Sequence, residues 1–146
     1  MAVLTVVGFL LLVRNWRAAS FTFAATASGL LVSHLLKAVF DRPRPDLIPH
    51  EVTVFTPSFP SGHAMMSAVV YLTLAALVAR LMRRRRLKLY AMSVAAVFTL
   101  LIGLSRVYLG VHWPTDVLAG WMAGASWALG CWLIAAKVGL DRDSSR

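Results

Sequence analysis

The chain has 146 residues, 59% of them hydrophobic and only 14% charged, with a mean hydropathy of +0.72. A soluble domain of this size carries roughly a quarter charged residues, so the composition excludes an ordinary water-soluble globule and points to an integral membrane protein. A formal charge of +9 would suit a nucleic-acid binder, but six of the fifteen basic residues fall between Arg80 and Lys88, directly behind an apolar run. That placement marks a cytoplasmic loop and excludes a nucleic-acid face.

Residues 1–13 are apolar, but a full span needs about 20 residues. Arg14 and Arg17 close the run, and no basic segment precedes it as in a signal peptide. It reads as the tail of a membrane helix, with an N-terminal truncation expected. Residues 18–40 form the next span, ending near Lys37. Residues 41–60 hold Pro43, Pro45, Pro49, Pro57 and Pro60, five of the six prolines, and predict a structured loop. A third apolar stretch runs from Ser61 to about Met82 and is stopped by Arg83 to Arg86. A fourth spans residues 87–104, residues 105–113 form a connection, and a fifth runs from Pro114 to about Ala136. The polar tail from Lys137 to Arg146 is expected to fray. The fold class is therefore all-α: a polytopic transmembrane bundle of about five helices, the first one short. The whole of 1–146 is expected to be one membrane-embedded domain, with its motif-bearing core over 18–136. Cys131 is alone, which rules out an intramolecular disulfide, and no zinc-type spacing of Cys and His occurs.

Charge sets the expected orientation. The Arg14/Arg17 turn, the Arg80–Lys88 loop and the Lys137–Arg146 tail are the basic segments and belong on the cytoplasmic side. Alternation then puts loop 41–60 and the 105–113 connection on the extracytoplasmic side.

The chemistry-bearing residues lie in those two segments and at the helix ends beside them. Lys37, Arg42 and Arg44 cluster around the end of the second span. Snorkelling to the headgroups would explain each of them, though positive charge on the outer face runs against the positive-inside bias. Pro60, Ser61, Gly62 and His63 open the third span. Ser61 is placed to cap that helix, and Gly62 lets a ligand approach free N–H groups that form an anion site. A plain helix start explains Ser61 but not His63. The stretch from Ser105 to Asp116 supplies Arg106, His112 and Asp116. Asp116 suits the first turn of the last helix on dipole grounds alone. It also lies four residues after His112, where it can hold one ring nitrogen and leave the other free as a nucleophile or base. Ionisable groups converging at a membrane surface are costly and usually functional. His34 is expected to pack between helices and His50 to be solvated in the loop. Gly120, Gly124 and Ala128 form a small-residue packing face, and Trp16 and Trp113 are interface anchors.

Lys37 followed by Arg44-Pro45, then Pro60-Ser61-Gly62-His63, then Ser105-Arg106 with His112 and Asp116 form three linked motifs. In order and spacing they resemble the type 2 phosphatidic acid phosphatase superfamily, which includes lipid phosphate phosphatases and vanadium haloperoxidases. The resemblance covers roughly 18–136 and departs from the family mainly in length, since members usually have six membrane helices. It implies that His112 is a nucleophile forming a phosphohistidine, that Asp116 orients it, and that His63 is the general acid and then the base. It implies that Lys37, Arg44, Ser61, Gly62 and Arg106 cradle the phosphate, with no metal or other cofactor required. Arg42 falls outside the matched pattern and reads as an auxiliary charge.

The function expected from the resemblance is metal-independent hydrolysis of a lipid phosphate monoester or polyprenyl pyrophosphate at the extracytoplasmic face of a bacterial inner membrane. A phosphotransferase using the same intermediate, or a non-catalytic lipid- or anion-binding membrane protein, are the alternatives; a haloperoxidase ranks below both. The partners implied are the bilayer and its phosphorylated lipid, with no nucleic acid.

Overall fold

The computed structural model describes residues 2–45 and 56–137. Among these residues five helices follow one another: α1 (Ala2–Leu12), α2 (Trp16–Val39), α3 (Gly62–Leu81), α4 (Arg85–Tyr108) and α5 (Pro114–Lys137). Among the described residues there is no strand. Of these described helices four are long and apolar enough to cross a membrane, and α1 is shorter, as expected. A helix of 24 residues, the length of α2, α4 and α5, extends about 36 Å, enough for a hydrocarbon core of about 30 Å. Pro49, His50 and the tail beyond Lys137 lie outside the described residues.

Local signals set the boundaries. Arg14 takes a left-handed φ of 59° between α1 and α2. The Asn15 side chain then caps α2 by accepting from the Ala18 N–H at 3.2 Å. Ser61 caps α3, its Oγ accepting from the Ala64 N–H at 3.4 Å. One expectation is corrected. The connection foreseen over 105–113 is helical through Tyr108, so Ser105 and Arg106 stand in the last turn of α4. Nothing before Gly110 stops the helix. Gly110, with φ of 66°, ends it. Its N–H reaches the Val107 carbonyl at 2.9 Å, and the Val111 N–H reaches that of Arg106 at 3.3 Å. This pair of bonds closes a helix on a left-handed glycine.

Helix α3 is the hub, packing against α2, α4 and α5. Its buried residues are small or unbranched at the crossing: Ala64, Met65 and Ala68, with Val69 beyond. The expected Gly120/Gly124 face on α5 meets them. A Cβ at Gly120 would sit 2.7 Å from the Ser61 carbonyl oxygen, and one at Gly124 would strike the Met65 carbonyl. Only glycine permits so close a backbone approach, the packing mode of membrane helices. The outer surface carries Leu31, Leu101, Met122 and Ile134, side chains that lipid accommodates and water does not. His34 lies on this exposed surface too, not between helices as expected.

Candidate active site

The end of α2, the start of α3, the end of α4 and the start of α5 meet at one end of the bundle. Backbone bonds tie them. The Ser61 N–H reaches the carbonyl of Asp116 at 2.9 Å, and the Ser58 N–H reaches that of Arg42 at 2.9 Å. Lys37 Nζ donates to the Pro57 carbonyl at 2.7 Å, fastening α2 to the segment that leads into α3.

His112 and Asp116 form the buried centre, 4% and 0% exposed. The helix stop at Gly110 turns the chain so that His112 precedes α5 by two residues. Asp116 lies in the first turn of α5, where a carboxylate is favoured by the helix dipole. His112 Nδ1 is 3.5 Å from Asp116 Oδ2. The same oxygen accepts from the Trp113 N–H at 2.9 Å and from the Ser58 hydroxyl in a short bond. Asp116 Oδ1 is taken by Arg42 NH1 at 2.8 Å, which also donates to Thr115 Oγ1 at 2.8 Å. The Arg42 guanidinium lies over the Trp113 ring, 5.6 Å from its centroid.

The other face of His112 meets Arg44, whose NH1 is 3.5 Å from Nε2. That NH1 donates to the Val111 carbonyl at 2.8 Å, while Nε and NH2 hold the carbonyl and hydroxyl of Thr56 at 3.0 Å each. Arg44 is thus anchored through its fork and leaves a cationic face beside Nε2. Burial, and then the charges of Arg44 and Lys37, push the His112 pKa down to about 4, with Asp116 opposing them. The ring is therefore neutral at ordinary pH, and a neutral imidazole is the form that attacks an electrophile.

The remaining expected residues lie around this pair. Gly62 opens α3 with its bare side toward Lys37, where an added Cβ would lie 3.4 Å from Lys37 Cε. His63 is exposed in the first turn of α3, within electrostatic range of Arg106, Lys37 and Arg44. Arg106 stands in the last turn of α4, its Nε donating to Ser105 Oγ at 3.2 Å. All eight residues singled out in the sequence thus lie at one end of the bundle: Lys37, Arg44, Ser61, Gly62, His63, Arg106, His112 and Asp116. Two others belong with them. Arg42, an auxiliary charge by sequence, is the direct ion-pair partner of Asp116. Ser58 touches both His112 and Asp116; a lone serine in a proline-rich loop gave no periodic or capping signal to find it by. Among the described residues no three His, Cys, Asp or Glu side chains come together as metal ligands would.

A family model described as the PAP2 superfamily matches residues 17–139 of the chain. Phosphatidylglycerophosphatase B of Bacillus subtilis is 44% identical over 97 residues, which are 64% of this chain and 46% of that protein. Lipid A 1-phosphatase of Rhizobium johnstonii is 32% identical over 136 residues, 86% of this chain and 51% of that protein. The chain thus spans about half the length of the curated relatives it matches. The crystal structure of the first transmembrane PAP2 type phosphatidylglycerolphosphate phosphatase from Bacillus subtilis superposes with a TM-score of 0.73 at 30% identity. That match covers 95% of this chain and 73% of the other.

Proposed function

The chain belongs to the PAP2 superfamily, and on that premise we propose that it is an integral membrane phosphatase acting on a phosphorylated lipid through a phosphohistidine at His112. The observation that carries this reading is the two-sided setting of the His112 ring. Nδ1 faces Asp116 and Ser58, while Nε2 faces the anchored Arg44. A neutral imidazole so oriented presents a lone pair where a phosphate would rest against a guanidinium.

In this scheme Lys37, Arg44 and Arg106 hold the phosphate oxygens, with the Ser61 hydroxyl and the Gly62 backbone beside them. Nε2 attacks phosphorus, the N–P bond forms and the P–O bond to the lipid breaks. His63 gives its proton to the departing oxygen. It then takes a proton from water as the water oxygen bonds to phosphorus and the N–P bond breaks, which releases inorganic phosphate and returns the lone pair to Nε2. Asp116 holds the ring and stabilises the positive charge that develops on it.

A site at the end of apolar helices suits a substrate that is itself in the bilayer, a phosphate monoester or a pyrophosphate on a lipid. The basic segments at Arg14/Arg17, Arg80–Lys88 and Lys137 lie at the other end of the helices. The positive-inside bias supports an extracytoplasmic site, in a bacterial cell membrane, with 1–146 acting as a single domain around the 18–136 core. The test is phosphate release from a panel of lipid phosphates by the purified protein in detergent. His112→Ala should abolish it; retained turnover rules out the nucleophile.

A further inference from the structure

Ser58 lies two residues ahead of Pro60 and is fully buried. It is part of none of the three motifs, yet its hydroxyl is wedged between the central pair. It donates to Asp116 Oδ2 and lies 3.4 Å from His112 Nδ1. That separation matches the 3.5 Å between Nδ1 and Asp116 Oδ2. A hydroxyl has one proton to give. Ser58 has committed its own to the carboxylate, so toward Nδ1 its oxygen can only accept. Nδ1 must then carry the ring hydrogen, and Nε2 the lone pair. Arg44 makes the same demand from the far side, because a guanidinium near Nε2 only donates.

We propose that Ser58 is a positioning residue. Its hydroxyl links the Nδ1–H of His112 to the Asp116 carboxylate and fixes the tautomer that leaves Nε2 free to accept the phosphoryl group. The inference rests on the proposed role of His112 and deepens it. Asp116 is poorly placed to do this alone. Its Oδ1 is occupied by Arg42, and its Oδ2 is shared between Ser58 and the Trp113 N–H. Ser58 fills the remaining gap. No proton changes owner in the coupling. As the N–P bond forms and the P–O bond breaks, the ring becomes positive, Nδ1 keeps its hydrogen, Ser58 keeps its own, and the carboxylate stays ionised. What Ser58 supplies is a fixed line of dipoles pointing from the developing cation to the anion.

The test uses the full chain in detergent with Ser58→Ala, Ser58→Cys and Ser58→Thr. Two readouts are taken: steady-state kinetics on a lipid phosphate monoester, and ¹⁵N-histidine spectra in which the His112 signals are identified by their loss in His112→Ala. Ser58→Ala and Ser58→Cys should lower kcat by about 10–10²-fold with little change in KM, the size of a lost hydrogen bond to a charged group. Ser58→Thr, which keeps the hydroxyl, should restore most of the rate. The ¹⁵N shifts should report a single Nδ1–H tautomer in the wild type and a mixture in the Ala and Cys variants. Cysteine has nearly the shape of serine and carries the test if alanine does not fold. Wild-type kcat in both the Ala and Cys variants overturns the proposal. So does a rate loss with the tautomer unchanged, which would make Ser58 merely structural. If wild type and His112→Ala release phosphate equally, the nucleophile assignment fails by itself. The spectra then decide for Ser58: a changed tautomer supports the link to His112, and an unchanged one overturns it.

Discussion

Replacing Asp116 by Asn keeps the shape of the side chain and removes its charge, which isolates what the carboxylate does. The carboxylate receives Arg42 on one oxygen and Ser58 and Trp113 on the other. An amide offers only one acceptor oxygen. With that oxygen toward Ser58, the NH2 faces Arg42 NH1, donor against donor at a position where the two atoms are now 2.8 Å apart. With the amide reversed, the NH2 donates to Ser58, whose proton then turns to Nδ1 and forces the hydrogen onto Nε2, the wrong tautomer for attack. Either way the proposed nucleophile is misprepared. Losing an orienting acid in this manner costs about 10²–10⁴-fold in kcat. The stability loss is smaller, about 1–2 kcal/mol, because Arg42 is 40% exposed and turns to solvent. The sign of the pH effect also follows. Asp116 raises the His112 pKa against burial and the cations, so removing its charge drives that pKa lower still. The ring stays neutral over a wider range, and no change between about pH 5 and 8 should restore the rate. The assay is phosphate release in detergent across that range, with helicity by circular dichroism as the folding control. A folded variant within about three-fold of wild type, or one rescued by raising the pH, would refute the orienting role.

Three further outcomes are expected. In substrate-free protein His112 should stay neutral as the pH falls through 6.5 and take up a proton only near 4; an NMR titration with a midpoint at the ordinary histidine value contradicts its buried cationic setting. His63→Ala should slow alkyl phosphates more than aryl phosphates, whose leaving groups need no proton, and equal losses on the two count against the acid role. Gly120→Ala places a Cβ 2.7 Å from the Ser61 carbonyl and should cost about 1–3 kcal/mol through overpacking. It should also lower kcat, because the same contact seats Ser61 against Asp116; unchanged detergent unfolding and activity together would show that the crossing is not tight.

Much of this was legible in the chain because membrane segments obey coarse rules. Length, charge and proline content placed the α2, α3 and α5 limits close to where they fall, and the charge runs sorted the helix ends into two sets. The α4 end was misplaced for a physical reason: Ser105 and Arg106 look like loop residues by polarity, whereas the helix stops only where glycine admits a positive φ. The candidate site was legible where residues repeat a known spacing, as with His112 and Asp116 at i and i+4. Arg42 and Ser58 were not, because their importance lies in contacts across 74 and 58 positions of sequence. His34 failed for another reason. Its place one turn before Lys37 suggested burial, but His34 is exposed while its neighbour Ser33, a step of about 100° around the helix, is buried.

The charges at this end of the bundle also explain each other. Among the described residues Lys37, Arg42, Arg44 and Arg106 stand there, and Asp116 pairs with Arg42 and lies within electrostatic range of Lys37 and Arg44. An excess of positive charge in a half-buried site is costly, and the site relieves part of it by keeping His112 deprotonated. The same excess is what a phosphate dianion would neutralise. In the proposed mechanism one arrangement serves two ends: the cations assigned to bind the phosphate are also those that lower the His112 pKa. In that mechanism, when phosphorus bonds to Nε2 the ring acquires the positive charge that the cations had opposed. By then the phosphate oxygens offset those cations, and Asp116, with Ser58 beside it, faces the new charge. Arg42 fits this order as the residue that pins the carboxylate on its far oxygen, so that the near oxygen stays directed at the ring.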